Sequence, residues 1–399
     1  MLRLPVRTAF TEDLPNSVLT HLQTTFRGCS FLLVDEKSML GLRQLYWIDR
    51  RLRQIFPRRA NEPFGGINVV LIGDFFQLPP VGERSLYDTK PPSNAPGQEY
   101  ISAGQQLYRL FDRTIILDRV MRQQGEDETS VRFRDLLTGL REGTVAPDGF
   151  ELLSSRVRSK LSVVERARFD GALRIYARKH QVARYNIDAL ETNAQPAIKI
   201  AAKHNCPAAK RGTDDDAEGL VPEMYLSIGA RIMLTCNLLT QFGLVNGTMG
   251  TLIDIVWHPD DDPLTTLPSM LLFKPDAYDG PNMFVDTDGK AVVPILPLTR
   301  DWEEGARKLS RTMFPVVLAY AITVHKSQGL TLDRAVLDIS KKDFAVGLTY
   351  VAISRVRTID SLMIDQEFHI GSFEQSDSIV RRMRSDDKTH RAAQVVTLI

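Results

Sequence analysis

Ser30-Phe31-Leu32-Leu33-Val34-Asp35-Glu36-Lys37-Ser38-Met39 and Ile67-Asn68-Val69-Val70-Leu71-Ile72-Gly73-Asp74-Phe75-Phe76-Gln77-Leu78-Pro79-Pro80-Val81 are the stretches that decide the fold. In each, a short run rich in Val, Ile and Leu stops abruptly in acid. Such a run, bounded by polar residues or Gly, predicts a strand buried on both faces of a parallel sheet. Open α/β sheets carry their chemistry at the carboxyl ends of their strands. Asp35, Glu36, Asp74 and Gln77 are therefore expected on one sheet edge.

A strand that ends in Asp-Glu suits phosphate chemistry: the first carboxylate can hold the Mg²⁺ that bridges nucleotide phosphates, and the second can orient an attacking water. A strand also ends in acids simply where it meets solvent. The second stretch adds an acid and an amide beside Pro79-Pro80, which stiffens the backbone and sets where Gln77 points.

Taken in order, Asp35-Glu36-Lys37-Ser38-Met39, Pro63-Phe64-Gly65-Gly66-Ile67 and Gly73-Asp74-Phe75-Phe76-Gln77-Leu78-Pro79-Pro80 resemble motifs II and III of the petite-integration-frequency (Pif) helicases, relatives of RecD and of Helitron helicases. Leu117-Asp118-Arg119-Val120-Met121-Arg122-Gln123 resembles motif IV, Thr323-Val324-His325-Lys326-Ser327-Gln328-Gly329 motif V, and Thr349-Tyr350-Val351-Ala352-Ile353-Ser354-Arg355 motif VI. The resemblance implies an α/β protein of two RecA-like P-loop NTPase-type domains, with a small SH3-like β insertion in the second. The implied boundaries are 1–117 for a partial first domain, 118–250 with 314–399 for the second, and 251–313 for the insertion.

The implied activity is 5′-to-3′ DNA unwinding driven by ATP hydrolysis with Mg²⁺, in repair, recombination or telomere maintenance. The partner is single-stranded or forked DNA. Asp35 would hold the metal, Glu36 orient water and Gln77 sense the γ-phosphate, while Arg122 and Arg355 complete the transition state. Asp74, Gln328 and Gly329 would join the nucleotide site. Thr323, His325, Lys326 and Ser327 would contact the DNA strand. Without the resemblance, Arg122 reads as a helix-start arginine paired with Asp118 or Glu126, and Arg355 as a cation favoured by a helix C-terminus.

The P-loop pattern G-x-x-x-x-G-K-[ST], whose amides and Lys cradle phosphates, occurs nowhere in the chain. Before Asp35 the only glycine is Gly28, and Gly289-Lys290 runs into Ala291. The first domain is thus expected to be truncated, with ATP poorly held by the chain alone. A non-catalytic remnant that binds nucleic acid or a partner protein is the alternative.

The chain has 399 residues, 43% hydrophobic and 25% charged, ordinary for a globular protein of two or three domains. Lys and Arg number 50 against 49 acids, a net charge of +1, so any basic surface must be local. Cys29, Cys206 and Cys236 form no metal-ligand pair or disulfide framework. The start has no apolar signal core, and the longest apolar stretch, Met313 to Val324, is too short to span a bilayer. The chain is expected to be neither secreted nor membrane-spanning, in the nucleus or mitochondrion if eukaryotic.

Further along, Gly41 to Phe56 has helical apolar spacing, with Arg43, Arg50, Arg51 and Arg53 on a face read as solvated or, less simply, phosphate-touching. Residues 84–105 read as an exposed loop, Phe133–Leu140 and Gly149–Val157 as helices, Leu173–Ala177 as a strand entering the helix Gln181–Glu191, and Asp214-Asp215-Asp216 as a solvated loop. Asn246-Gly247 predicts a hairpin. Phe314 to Ile322 reads as one buried strand, and the tail after Gly371 as polar and frayed.

Overall fold

Pairing of Phe31 with Asn68 through Val34 with Leu71 makes Phe31–Val34 (β1) and Asn68–Leu71 (β2) a parallel pair. Beyond the strands, the Ile72 N–H donates to the Val34 carbonyl and the Lys37 N–H to the Ile72 carbonyl, both at 2.8 Å. Asp35-Glu36 and Gly73-Asp74 therefore leave the sheet side by side, as the sequence predicts. The structure is a computed structural model and describes residues 2, 4, 14–95, 97–193, 195–304, 307–341, 343–373 and 378–396.

Contacts group the chain into two units: Met1–Ser155 with Ile339–Ile359 and Glu367–Ile399, and Arg156–Asp338 with Asp360–Gln366. Residues 118–155, 339–359 and 367–399, which the sequence reading assigns to the second domain, group here with the first unit. One cause is Gln123, whose buried amide donates to the carbonyls of Ser354 at 3.3 Å and Val356 at 2.8 Å. Another is the last helix, Ser378–Ala392, whose Met383 joins the core of the first unit.

In that unit α1 (Asn16–Thr25) sets Leu22 beside Ile55 of α2 (Leu42–Ile55). Gln44 reaches back to accept the Gly41 N–H at 3.0 Å, starting α2, whose Leu42, Leu45 and Leu52 are fully buried. The arginines of α2 are not a solvated stripe: Arg51 is buried, and Arg53 pairs with Asp49 at 2.7 Å and donates to the Ala60 carbonyl. Residues 98–105 are not loop either, but the start of α3 (Gln98–Arg109). Its Ile101, Gly104, Leu107 and Tyr108 recur at helical spacing and are buried, overriding the turn residues that end at Gly97.

Among the described residues the β1–β2 pair is covered on one face only. Leu32, Val34, Val69 and Leu71 belong to the core with α2 and α3, while Phe31 and Leu33 are 61% and 63% exposed and Val70 and Ile72 about 40%. A continuous apolar run signals two buried faces; here α2 and α3 supply cover for one. The last helix likewise departs from expectation, because Met383 and Arg384 are buried and the segment is docked rather than frayed.

In the second unit Ala321–Thr323, Leu173–Tyr176, Ala335–Leu337 and Leu362–Ile364 form, in that order, a parallel sheet. The predicted helix after Leu173–Tyr176 spans Lys179–Thr192. A separate antiparallel sheet includes Arg231–Leu234, Met249–Val256, Met270–Pro275, Ala291–Ile295 and Val316–Leu318, so the β region reaches beyond 251–313 on both sides. The run from Phe314 to Ile322 is two strands in two sheets: Val316–Leu318 pairs with Arg231–Leu234, and Ala321–Thr323 with Leu173–Tyr176. Burial of both segments makes the run look unbroken in sequence. Asn246-Gly247 forms a turn, with Thr248 N–H to the Val245 carbonyl at 3.0 Å, but inside a longer connection that contains the short helix Thr240–Phe242 rather than a two-residue hairpin. Among the described residues no helix is long and apolar enough to cross a membrane.

With one face open and two strands in its sheet among the described residues, β2 is expected to open locally at lower cost than Leu173–Tyr176, which has a neighbour on each side. Hydrogen exchange of the full chain checks this: Asn68–Leu71 amides should exchange faster. Equal protection would mean that the open face is covered in solution.

Candidate functional site

Glu36 follows β1 in the left-handed region, at φ 53 and ψ 47, a conformation that costs a non-glycine residue of order 1 kcal/mol or more. Asp35 turns its Oδ1 to accept the Glu36 N–H at 2.8 Å and remains exposed at the strand end. Motif III runs against this turn. A Cβ on Gly73 would lie 2.9 Å from the Lys37 nitrogen, closer than real contacts allow, so only glycine lets the two backbones meet.

Motif III is held by a bidentate pair: Arg141 of α4 (Glu128–Glu142) donates from Nε and Nη2 to Asp74 at 3.0 Å each, and its guanidinium stands 4.1 Å from the Phe76 ring centre. The segment leading into motif VI also reaches this loop. A Cβ on Gly347 would come within 2.8 Å of the Phe76 carbonyl oxygen. Gly347 begins the helix Leu348–Ile353, and Arg355 follows two residues after its end.

Arg355 is 3% exposed, donating to the Val351 carbonyl at 2.8 Å and the Ser354 hydroxyl at 2.7 Å. Burial, with nearby Arg122, pushes its pKa down to about 10, while Tyr350 and Glu36 act in the opposite sense. Arg122 donates to the Ser354 carbonyl at 3.0 Å, and burial lowers its pKa too. Desolvated guanidiniums in mutual repulsion stabilise an anion brought between them, because it relieves both costs.

The structure thus brings Asp35, Glu36, Asp74, Gln77, Arg122 and Arg355 into one unit. Thr323, His325, Lys326, Ser327, Gln328 and Gly329 lie in the other, where the strand Ala321–Thr323 enters the short helix Val324–Ser327. Thr323 caps that helix, its hydroxyl accepting the Lys326 N–H at 3.3 Å, and the buried Ser327 hydroxyl donates to the Val324 carbonyl. Lys326 is exposed and His325 half-buried; burial, with Lys179, lowers the histidine pKa and favours its neutral form.

Sequence reasoning passed over Arg141, Tyr350 and Asp343. Arg141 sits at the end of an amphipathic helix, where a lone cation reads as solvent-facing, and nothing local names Asp74 as its partner. Asp343 accepts from both the backbone N–H and the hydroxyl of Thr349, at 2.8 and 2.9 Å, anchoring the helix that leads to Arg355.

Parallel strands in each unit, with acids, an amide and a polar turn at their carboxyl ends, define the RecA-like α/β class. A PIF1-like helicase profile matches residues 4–149. The ATP-dependent DNA helicase Pif1 of a Psychrobacter species is 29% identical over 86% of this chain and 54% of its own length, and PIF1 of Danio rerio 30% identical over 84% and 46%. Among solved structures, Pif1 helicase from Candida albicans superimposes with a TM-score of 0.68 at 26% identity, covering 94% of this chain and 80% of that one. Bacteroides Pif1 in complex with ADP-AlF3 and single-stranded DNA gives 0.64 at 23%, covering 97% and 81%. The chain belongs to the PIF1-like helicase family. It spans about half the length of the curated relatives it matches.

Burial raises the Asp343 pKa to about 6, outweighing the two Thr349 hydrogen bonds, which lower it. The folded protein then binds this proton more tightly than the unfolded chain, so the group's contribution to stability is largest in acid and is lost as pH rises through about 6. Asp343→Asn keeps an acceptor for the Thr349 N–H without the charge. Its stability relative to wild type, followed by thermal melts, should rise between pH 4.5 and 7.5 by roughly 1–3 kcal/mol; a pH-independent difference would count against a buried carboxylate here.

Proposed function

We propose that the chain is the motor portion of an ATP-dependent 5′-to-3′ DNA helicase. The observation that carries this reading is the meeting in one unit of the Asp35-Glu36 turn, the Asp74–Gln77 loop, half-buried Arg122 and buried Arg355. Each supplies a distinct part of phosphoryl transfer: metal ligand, water orientation, γ-phosphate sensing and charge neutralisation.

Asp35 fits Mg²⁺ because it is an exposed carboxylate at a strand end. Mg²⁺ usually takes one or two protein carboxylates and completes its shell with water and phosphate oxygens, so no larger acidic cluster is needed. When bound, the ion neutralises phosphate charge. Glu36 holds the attacking water, its backbone strain fixing the direction of the carboxylate, while Gln77 contacts the γ-phosphate. Arg122 and Arg355 stabilise the transition state, a role worth roughly 10³ to 10⁵ in rate where an arginine finger is used. In the other unit, this reading assigns Lys326 and His325 to DNA phosphates, Thr323 and Ser327 to the shape of their turn, and Gln328 and Gly329 to nucleotide. Two RecA-like domains bounded at 117, with a β insertion around 251–313, are the organisation that this reading carries.

A second reading, that the chain binds nucleic acid without hydrolysing ATP, draws on the lack of G-x-x-x-x-G-K-[ST] in the 399 residues. One experiment separates the two. DNA-stimulated ATPase is measured for the chain alone and for a fusion that adds the P-loop segment of a relative. Negligible turnover alone, restored in the fusion and abolished by Glu36→Gln, supports the motor. A folded but inactive fusion supports the second reading. In both cases single-stranded DNA affinity, by fluorescence anisotropy, should fall with salt, and Lys326→Ala should reduce the slope of log K against log salt by about 0.7; a salt-independent affinity would reject phosphate contact.

A further inference from the structure

The last helix, Ser378–Ala392, touches the motif III loop from a side the proposed mechanism does not use. Arg384 is 2% exposed; its Nε donates to the Tyr87 hydroxyl at 3.1 Å and its Nη2 to the backbone carbonyl of Gln77 at 3.4 Å. Its guanidinium lies 5.5 Å from the Tyr87 ring centre and 5.8 Å from that of Phe76. One turn on, the Lys388 ammonium is 5.9 Å from the Phe76 ring and 3.3 Å from Glu142, the residue after Arg141. Phe76 thus meets cations from two helices, α4 and the last, with Arg141 the nearest.

Arg384 pairs with no carboxylate among the described residues. Burying a cation against neutral acceptors is costly, and an apolar side chain of similar volume would fill the space at less expense. What an apolar residue cannot do is hold a carbonyl and a hydroxyl at fixed positions. The carbonyl held is that of Gln77, and the neighbouring Asp74 is fixed independently by Arg141.

We propose that Arg384 is a positioning residue for motif III: the last helix clamps the Phe76–Gln77 backbone, and the direction in which Gln77 is presented depends on it. The link from Gln77 to nucleotide rests on the function proposed above; the clamp itself does not.

The test uses the full chain with Arg384→Met and Arg384→Lys, read by hydrogen exchange of residues 74–78, with Asn68–Leu71 as an internal reference. The Met variant should speed exchange in the loop by about tenfold or more and leave the reference unchanged, and the Lys variant should restore part of the protection. Unchanged loop exchange overturns the clamp, as does an equal acceleration across the first unit, which marks simple packing. If the Met variant does not fold, the Lys variant decides alone, since it keeps charge and loses the forked geometry; an unaltered loop then overturns the proposal. Adding MgATP to the fusion that carries a relative's P-loop segment, with Arg384 intact, is a separate arm. Failure to protect Gln77, alongside a loop loosened by Arg384→Met, refutes the nucleotide role of Gln77 and upholds the clamp.

Discussion

Three stretches of backbone, remote in sequence, meet at contact distance around motif III, and the site depends on that meeting. Gly73 lies against Lys37, and Gly347 against the carbonyls of Phe76 and Gln77. A side chain at either position would occupy space that the neighbouring backbone already fills. The Asp35-Glu36 turn, the Gln77 loop and the segment carrying Arg355 are thereby fixed in one frame, with the parallel pairing of β1 and β2 as its base.

On that frame the electrostatics are arranged in two ways. Asp74 and Arg141 neutralise each other in a bidentate pair, which spends both charges on holding the loop. Arg355 is instead buried, donating to the Val351 carbonyl and the Ser354 hydroxyl, half-buried Arg122 donates to the Ser354 carbonyl, and burial depresses the pKa of both. The first arrangement suits a structural tie. The second keeps two desolvated cations close together, where an added anion is stabilised.

The second unit repeats the principle with other chemistry. A polar turn follows a buried strand, but its hydroxyls are divided between structure and surface. Thr323 and Ser327 are consumed in capping and bonding a four-residue helix, while His325 is half-buried and Lys326 keeps an exposed surface, with burial lowering the pKa of both. The pattern is legible as a motif, while the division of labour within it depends on burial.

The sequence by itself determined both strands of the motif II and III pair and their parallel sense, because short apolar runs bounded by polar residues or Gly read as strands of a parallel sheet; the family was legible only as a resemblance of motifs II to VI taken in order. It also named the six residues that the first unit gathers. It did not determine that one sheet face lies open, that 98–105 is helix, that Phe314 to Ile322 crosses between sheets, or that the tail is docked. Nor did it show Arg141, Asp343 and Arg384 at work. Most of these are decided by a partner distant in the chain, Asp74 for Arg141, the Gln77 carbonyl for Arg384 and Arg231–Leu234 for half of a strand, whereas Asp343 meets Thr349 of its own segment and is set apart by burial. Local pattern records whether a residue is buried, and only tertiary structure decides against what.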